Sequence, residues 1–238
     1  VSPRYTSAML EAIVFDFDGI IADSEPLHYR AMAATSGEDG IDFTYERYLR
    51  DYIGFDDRDA LRTIYADAGQ PLSPEQLADR IEAKAGYFEQ AVGEGVETYP
   101  GVIELIASAS EAGVKLAICS GALRQDIDLI LAGVGDGRLI ERFAAVVTAE
   151  EVTRSKPDPE GYALAARRLD ASPAACVAIE DTAAGIASAR GAGMHTLAVT
   201  NTCPADQLRA ADRVVDGLAR VTLDNLRHLI TGNDEKQA

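Results

Sequence analysis

Asp16 and Asp18 stand two residues apart directly after a short apolar run, in Ile13-Val14-Phe15-Asp16-Phe17-Asp18-Gly19. Carboxylates so paired can divide labour: one attacks an electrophile, while the other protonates the leaving oxygen and later takes a proton from water. Spacing alone does not single them out, because Asp57/Asp59 and Asp126/Asp128 repeat it, about what chance allows in so acidic a chain. Context does. The apolar run reads as a strand and Gly19 lets the backbone turn just past its carboxyl end, where ligand sites of open α/β sheets lie. The other two pairs read as solvated loop carboxylates.

Three more polar groups follow apolar runs in the same way. Ser120-Gly121 comes after Lys115 to Cys119, Lys156-Pro157-Asp158 a short loop after Val146-Val147, and Glu180-Asp181 after Cys176 to Ile179. Singly, Ser120 is a helix cap, Lys156 a surface lysine and Glu180-Asp181 an acidic pair at a helix start. Those readings do not explain why carboxylates, a hydroxyl and one ammonium converge at one sheet edge. Phosphoryl transfer to a carboxylate does. Asp16, Asp18, Glu180 and Asp181 would repel one another unless a hard divalent cation sat among them, and all-oxygen ligands favour Mg²⁺. Lys156 and Ser120 would then neutralise and hydrogen-bond the oxygens of the transferring group.

Positioning such groups requires a parallel sheet. From Ala144 onward, strand-like runs at Val146-Val147, Cys176 to Ile179 and Thr196 to Val199 alternate with amphipathic segments at Pro159 to Leu169 and Ala183 to Ala192. Strands apolar on both faces signal a parallel sheet covered by helices, and Glu11 to Phe15 and Lys115 to Cys119 supply two more strands. Ser24 to Val96 breaks the pattern with helical periodicities: Leu61, Ile64, Tyr65 and Ala68, then Leu77, Ile81, Phe88 and Val92. The expected architecture is a Rossmann-like α/β core, its parallel sheet flanked by helices, formed by residues 1–23 and 96–238. An all-helical cap domain, 24–95, is inserted after the first strand. Ser24 followed by Pro26 opens the insertion, Gly93 to Gly101 closes it, and the polar tail Gly232 to Ala238 should fray.

The 238 residues carry 22 Lys and Arg against 39 Asp and Glu, a formal net charge of −17. With no segregated basic run, this excludes nucleic acid and anionic membrane surfaces as partners. At 47% hydrophobic and 26% charged, the composition is that of a folded globular chain. No apolar run approaches the roughly 18 residues of a membrane span, and Val1 to Leu10 lacks a signal-peptide core, with Met9 the expected natural start. Cys119, Cys176 and Cys203 cannot all pair, and the first two lie inside apolar runs, which suits a reducing cytoplasm. A monomer is expected.

Phe-Asp-Phe-Asp-Gly at 15 to 19, Ser120-Gly121, Lys156-Pro157-Asp158 and Ile179-Glu180-Asp181-Thr182 resemble, in order and spacing, the four motifs of the haloacid dehalogenase superfamily. The resemblance covers essentially the whole chain and extends to the inserted helical cap. Asp-Ser-Glu-Pro-Leu-His at 23 to 28 resembles the opening of its sugar phosphatases and β-phosphoglucomutases. The resemblance implies that Asp16 is the nucleophile, becoming an aspartyl phosphate, and Asp18 the general acid/base. It implies Mg²⁺ held by the Asp16 carboxylate, the Asp18 backbone carbonyl and Asp181, with Glu180 supporting or joining them. Ser120, Gly121 and Lys156 would bind the phosphoryl group. Dehalogenases of the superfamily generally lack the second aspartate, so Asp18 with Glu180-Asp181 favours phosphorus over carbon. Phosphonatases need an imine-forming cap lysine; nothing near Lys84 suggests that role.

Leaving-group recognition belongs to the cap in this superfamily. His28 matches a cap-side histidine that assists acid/base chemistry in the mutases. Gly54 and Arg58 fall where relatives carry a specificity loop whose arginine meets a distal phosphate, and Lys84 lies near another cap lysine. One departure bears on the reaction. After the second-motif serine the mutases continue with a serine and a lysine that grip phosphate; here Ala122 and Leu123 stand there, with Arg124 next as the only substitute. Losing that lysine favours a phosphatase acting on a small phosphorylated metabolite, a sugar phosphate, over a hexose-phosphate mutase. A non-catalytic binder of a phosphorylated effector comes third, since a binder needs no paired nucleophile and acid. The cap is expected to close on substrate and exclude water.

Overall fold

The structure, a computed structural model, describes residues 9–52, 55, 57–135 and 137–232. β1 (Ala12–Phe15) is Ala-Ile-Val-Phe and buried at every position. A strand apolar on both sides has no solvent face, so it takes the middle of a sheet. β2 (Lys115–Cys119), β3 (Ala145–Val147), β4 (Cys176–Glu180), β5 (His195–Val199) and β6 (Arg213–Val215) complete that sheet in the order β3-β2-β1-β4-β5-β6. All its pairs are parallel, with Val14 opposite Ala117 on one side and Ala178 on the other. The strand order reverses at β1, so its carboxyl end opens onto the crevice that such sheets use for ligands. The first strand starts at Ala12, one residue later than expected, and Glu180 is the last residue of β4 instead of the first after it. β6, with one exposed and two half-buried residues at the sheet edge, was not expected.

The chain divides into two compact units, one drawn from the chain up to Asp23 and from Glu97 onward, the other Ser24–Val96. In the first, α5 (Val102–Glu111), α6 (Arg124–Ala132), α7 (Glu160–Leu169), α8 (Ala183–Gly191) and α9 (Leu223–Thr231) flank the sheet. Tyr162, Ala165, Ala166 and Leu169 of α7 form one helical stripe packed with Val14, Ala117 and Ala178. The chain leaves and re-enters this unit at one place. The Asp23 N–H donates to the Glu97 carbonyl at 3.0 Å, the Tyr99 N–H to the Ile21 carbonyl at 3.3 Å, and Ala22 bridges to Thr98.

The second unit holds α1 (Glu25–Gly37), α2 (Tyr45–Asp51), α3 (Asp57–Asp67) and α4 (Pro74–Gly93) around Met32, Tyr48, Tyr52, Leu61, Ile64 and Leu77. α4 opens with a capping box between Ser73 and Gln76 and carries Pro74 in its first turn. Ser24 stands at the start of α1 with Pro26 behind it but makes no side-chain cap bond. Gly54 and residues 233–238 of the polar tail lie outside the described residues, as do residues 1–8. Cys119, Cys176 and Cys203 are free thiols, the first two buried. Among the described residues no helix is long and apolar enough to cross a membrane.

Candidate active site

Asp16 follows β1, Ser120 follows β2, and Glu180 and Asp181 end and follow β4, so three neighbouring strands deliver them to one edge. Lys156 arrives on the loop before α7, at a cis Lys156–Pro157 peptide. Its ammonium lies 2.8 Å from Asp16 Oδ1 and 2.7 Å from Glu180 Oε1. Glu180 is wholly buried and fully engaged. Its Oε1 also accepts from the Tyr162 hydroxyl at 2.7 Å, and its Oε2 accepts from the Asp181 N–H, the Thr182 N–H and the Thr182 hydroxyl at 3.1, 3.3 and 3.0 Å. That arrangement makes Glu180 the anchor of Lys156. The Asp16 Oδ1 additionally takes the Phe17 N–H at 2.8 Å. Ser120 is buried, and its hydroxyl accepts the Ala122 N–H at 2.9 Å, closing the turn before α6. A pocket of about 230 Å³ opens beside it, lined by Ser120, Gly121, Ala149, Arg154 and Lys156 among others. Asp18 is half-buried and bridges to Ala22.

Asp16, Glu180 and Asp181 each offer a carboxylate oxygen within 4.8 Å of the others. Three carboxylates against the single ammonium of Lys156 leave a formal charge of −2 in a buried site, which a divalent cation would cancel. The residues fit such an ion in a second respect: Asp181 Oδ1 is buried without a hydrogen-bond partner. An orphaned buried acceptor of this kind is costly unless something else satisfies it. Glu180 could approach an ion only by giving up a bond it already makes, whereas Asp181 Oδ1 has none to give up. Gly19 keeps this corner open. Its φ is +76°, and a Cβ there would lie 1.8 Å from Asp181 Oδ2. Gly185 does the same for Glu180, whose Oε1 would lie 1.8 Å from an added Cβ.

The family model described as haloacid dehalogenase-like hydrolase matches residues 13–199. The chain belongs to that family. Protein CbbY of Rhodobacter capsulatus is 33% identical to this hydrolase over 221 residues, 90% of this chain and 96% of the relative. Hexitol phosphatase B of Escherichia coli O157:H7 is 30% identical over 94% of this chain and 96% of its own length. The crystal structure of CbbY from Rhodobacter sphaeroides in complex with xylulose-(1,5)bisphosphate matches with a TM-score of 0.76 at 29% identity, over 89% of this chain and 96% of that one.

The charges in the hydrolase site are unequal. Burial works against the Glu180 charge, but Lys156 and the Tyr162 and Thr182 hydrogen bonds outweigh it and hold the carboxyl below its usual range. Burial likewise opposes the Lys156 charge, and Asp16 and Glu180 overcome it, raising the ammonium pKa. Asp16 yields: burial, then repulsion from Glu180, pushes it well above the ordinary carboxylate value despite Lys156. Burial also raises Asp181, to about 6. Both aspartates are therefore primed to gain from a nearby cation.

In the helical unit of the hydrolase, Lys84 is 1% exposed, with its Nζ 3.1 Å from His28 Nδ1, 2.7 Å from Asp57 Oδ2 and 4.6 Å from the centre of the Phe88 ring. His28 stacks on Phe88 with ring centroids 4.4 Å apart. Burial, reinforced by Lys84, lowers the His28 pKa to about 3. His28 is therefore neutral, and Nδ1 facing an ammonium leaves its proton on Nε2. Asp57 is thus not the solvated carboxylate expected from its spacing; it is the partner of a buried lysine. Asp59 pairs with Arg62, and Asp128 with Arg124. Arg58 is exposed on the first turn of α3. Arg124 opens α6 with its Nε 2.9 Å from both Asp128 oxygens. Reasoning from sequence missed Tyr162, Thr182, Thr202, which hydrogen-bonds Asp181, and Asn201, which donates to the Gly19 carbonyl at 2.7 Å. Tyr162 had a signal: a tyrosine on a buried helical stripe needs a partner for its hydroxyl.

Proposed function

We propose that this hydrolase is a Mg²⁺-dependent phosphatase that cleaves a small phosphorylated metabolite, a sugar phosphate, through an aspartyl-phosphate intermediate. One observation carries the reading: Asp16 sits 2.8 Å from the buried ammonium of Lys156, in a carboxylate cluster whose Asp181 Oδ1 has no partner. An Asp16 oxygen attacks phosphorus and the phosphorus–oxygen bond to the leaving group breaks, while Asp18 gives that oxygen a proton. Water then attacks the phosphoryl group on Asp16, surrendering a proton to Asp18 and freeing phosphate. Ser120, Gly121 and Lys156 hold the phosphoryl oxygens throughout. Asp16, the Asp18 backbone carbonyl and Asp181 would hold Mg²⁺, with Glu180 fixing Lys156 beside them. The ion would supply charge neutralisation at the phosphoryl oxygens. His28, Gly54, Arg58 and Lys84 are the candidates for the leaving group. Hexitol phosphatase B, by its name, and CbbY, by its bound sugar bisphosphate, support the substrate class. The free buried cysteines suit a reducing cytoplasm.

A panel of sugar phosphates should release inorganic phosphate in Mg²⁺ and none after EDTA, with negligible isomerisation of a 1-phosphate to a 6-phosphate. Hydrolysis untouched by EDTA, or no hydrolysis of any ester, would sink the reading. The metal should also compete with protons. Asp181 binds the ion only when ionised, so its share of the affinity is in place above about pH 6 and falls roughly tenfold per unit below it as its proton is displaced. The sign is set by the raised folded-state value: without metal, the ionised carboxylate costs stability as pH rises past its ordinary range, and the ion removes that cost. The rise in Tm produced by Mg²⁺ should therefore be large at pH 7.5 and small at pH 5. Equal rises would contradict the ligand assignment.

A further inference from the structure

We propose that Tyr162 is a positioning residue of this hydrolase: its hydroxyl holds Glu180 against Lys156 and away from the metal ion. The inference rests on the phosphatase reading and assigns the two jobs that its carboxylates must divide. Tyr162 is wholly buried on α7, in the stripe packed with Val14, Ala117 and Ala178. Gly161 brings α7 tight against β2, where an added Cβ would stand 3.0 Å from Cys119 Sγ, so the helix that carries the ring is fixed to the sheet. The hydroxyl donates to Glu180 Oε1 at 2.7 Å, and the ring centre lies 5.2 Å from Lys156 Nζ. A phenol keeps its proton throughout the range in which a carboxylate ionises, so the bond runs in one direction. Phenylalanine would fill the same space with no buried hydroxyl to satisfy. What the tyrosine adds is this one bond.

Glu180 needs such a hold because distance alone would allow it a place on the ion: Asp16, Glu180 and Asp181 each bring an oxygen within 4.8 Å of the others. Glu180 Oε2 is tied to the Asp181 and Thr182 N–H groups and the Thr182 hydroxyl. Its Oε1 is held by Lys156 and Tyr162, each at 2.7 Å. Without the phenol, the ammonium would hold that oxygen against a divalent cation, whose pull is the stronger. The loss would fall on Lys156. An ammonium has three N–H groups; Asp16 at 2.8 Å and Glu180 at 2.7 Å engage two of them, which leaves one for a phosphoryl oxygen. Once Glu180 turns to the ion, Lys156 loses the partner that fixes its direction, and the phosphoryl group loses an oriented donor.

The test compares wild type with Tyr162→Phe by calorimetric binding of Mg²⁺ and by phosphate release from the sugar phosphate turned over fastest. The variant should bind Mg²⁺ about threefold to tenfold more tightly, because a third carboxylate joins the ion. Its kcat should fall about tenfold with KM within about twofold, the scale of one hydrogen bond to a charged group that acts in the transition state. The two changes have opposite signs. A tyrosine that served only to fill the core would not produce them: phenylalanine fills it equally, and a loosened core would weaken metal binding and turnover together. Against Glu180→Gln as reference, adding Tyr162→Phe should no longer tighten Mg²⁺. The wild type supplies a reading independent of how the variant folds: its crystal structure with Mg²⁺ should keep Glu180 Oε1 on Tyr162 and Lys156, outside the ligands of the ion. A Glu180–Mg²⁺ bond in that structure, Mg²⁺ binding unchanged or weakened by Tyr162→Phe, a kcat within about twofold of wild type, or a wild type that binds no Mg²⁺ overturns the proposal. If no ester is hydrolysed, yet Tyr162→Phe tightens Mg²⁺ and the wild-type structure keeps both bonds, the phosphatase reading falls and the hold of Tyr162 on Glu180 stands.

Discussion

Asp16→Asn should abolish phosphate release, by about 10⁴-fold or more, while leaving the protein as stable as the wild type or more so. The two halves of that result have one cause. An amide has no anionic oxygen to attack phosphorus, so the covalent step disappears. The wild-type carboxyl, raised by burial and by Glu180, costs stability whenever it is ionised without a metal. The sign follows from linkage: a folded-state pKa above the unfolded one means that the cost appears as pH climbs beyond the unfolded value and grows until pH passes the folded one. Asparagine keeps the shape and drops the charge. Phosphate release and calorimetric unfolding at pH 7.5, both run on the same preparation and the latter without Mg²⁺, check the pair. Turnover within tenfold of wild type would refute the nucleophile assignment; a variant that lost activity by unfolding would refute the electrostatic account.

Lys156→Met should be the converse, failing in both stability and turnover. The ammonium holds Asp16 at 2.8 Å and Glu180 at 2.7 Å, and removing it leaves two buried carboxylates with no cation between them. Breaking a buried pair in this way costs about 3–5 kcal/mol, which for a chain of this size lowers Tm by roughly 10 °C. Turnover should fall by about 10²- to 10³-fold, since the cation facing the phosphoryl oxygens is gone. Adding Glu180→Gln removes the stranded charge, so the double variant should be more stable than Lys156→Met alone, a coupling that urea titration of the four proteins measures. Lowering the pH should likewise restore Lys156→Met, because the stranded carboxylates then take up protons. A Tm within two degrees of wild type, or additive effects in the cycle, would show that the ammonium is not what balances the site.

Asp16, Ser120, Lys156, Glu180 and Asp181 were legible because each ends, or soon follows, an apolar run that could only be an interior strand, and strand ends at one edge converge whatever the helices do. The residues that hold them were not. Thr182, Asn201 and Thr202 are ordinary loop residues until the sheet brings Glu180, Gly19 and Asp181 to them. Asp57 misled: its two-residue spacing to Asp59 suggested solvent, when the informative relation was to Lys84, 27 residues on. Lys84 itself lies on the stripe of Leu77, Ile81, Phe88 and Val92, a position at which a lysine must be buried and therefore paired. Arg124 was expected to offer itself to phosphate, although its four-residue spacing from Asp128 on a helix already favoured an internal ion pair. β6 escaped because three partly exposed edge residues carry little hydrophobic pattern.

The doorway formed by Ile21, Ala22 and Asp23 against Glu97, Thr98 and Tyr99 pins the two chain ends from which the helical unit is strung. Because both threads of chain are stitched together before the helical unit begins, the length of what is spliced between them enters the folding free energy only logarithmically, at about 0.6 kcal/mol per doubling. A foreign insert whose own ends meet could replace Ser24–Val96 without stretching the sheet or moving Asp16. Such a chimera should keep the spacing of Asp16, Lys156 and Glu180, which rests on contacts within the sheet unit.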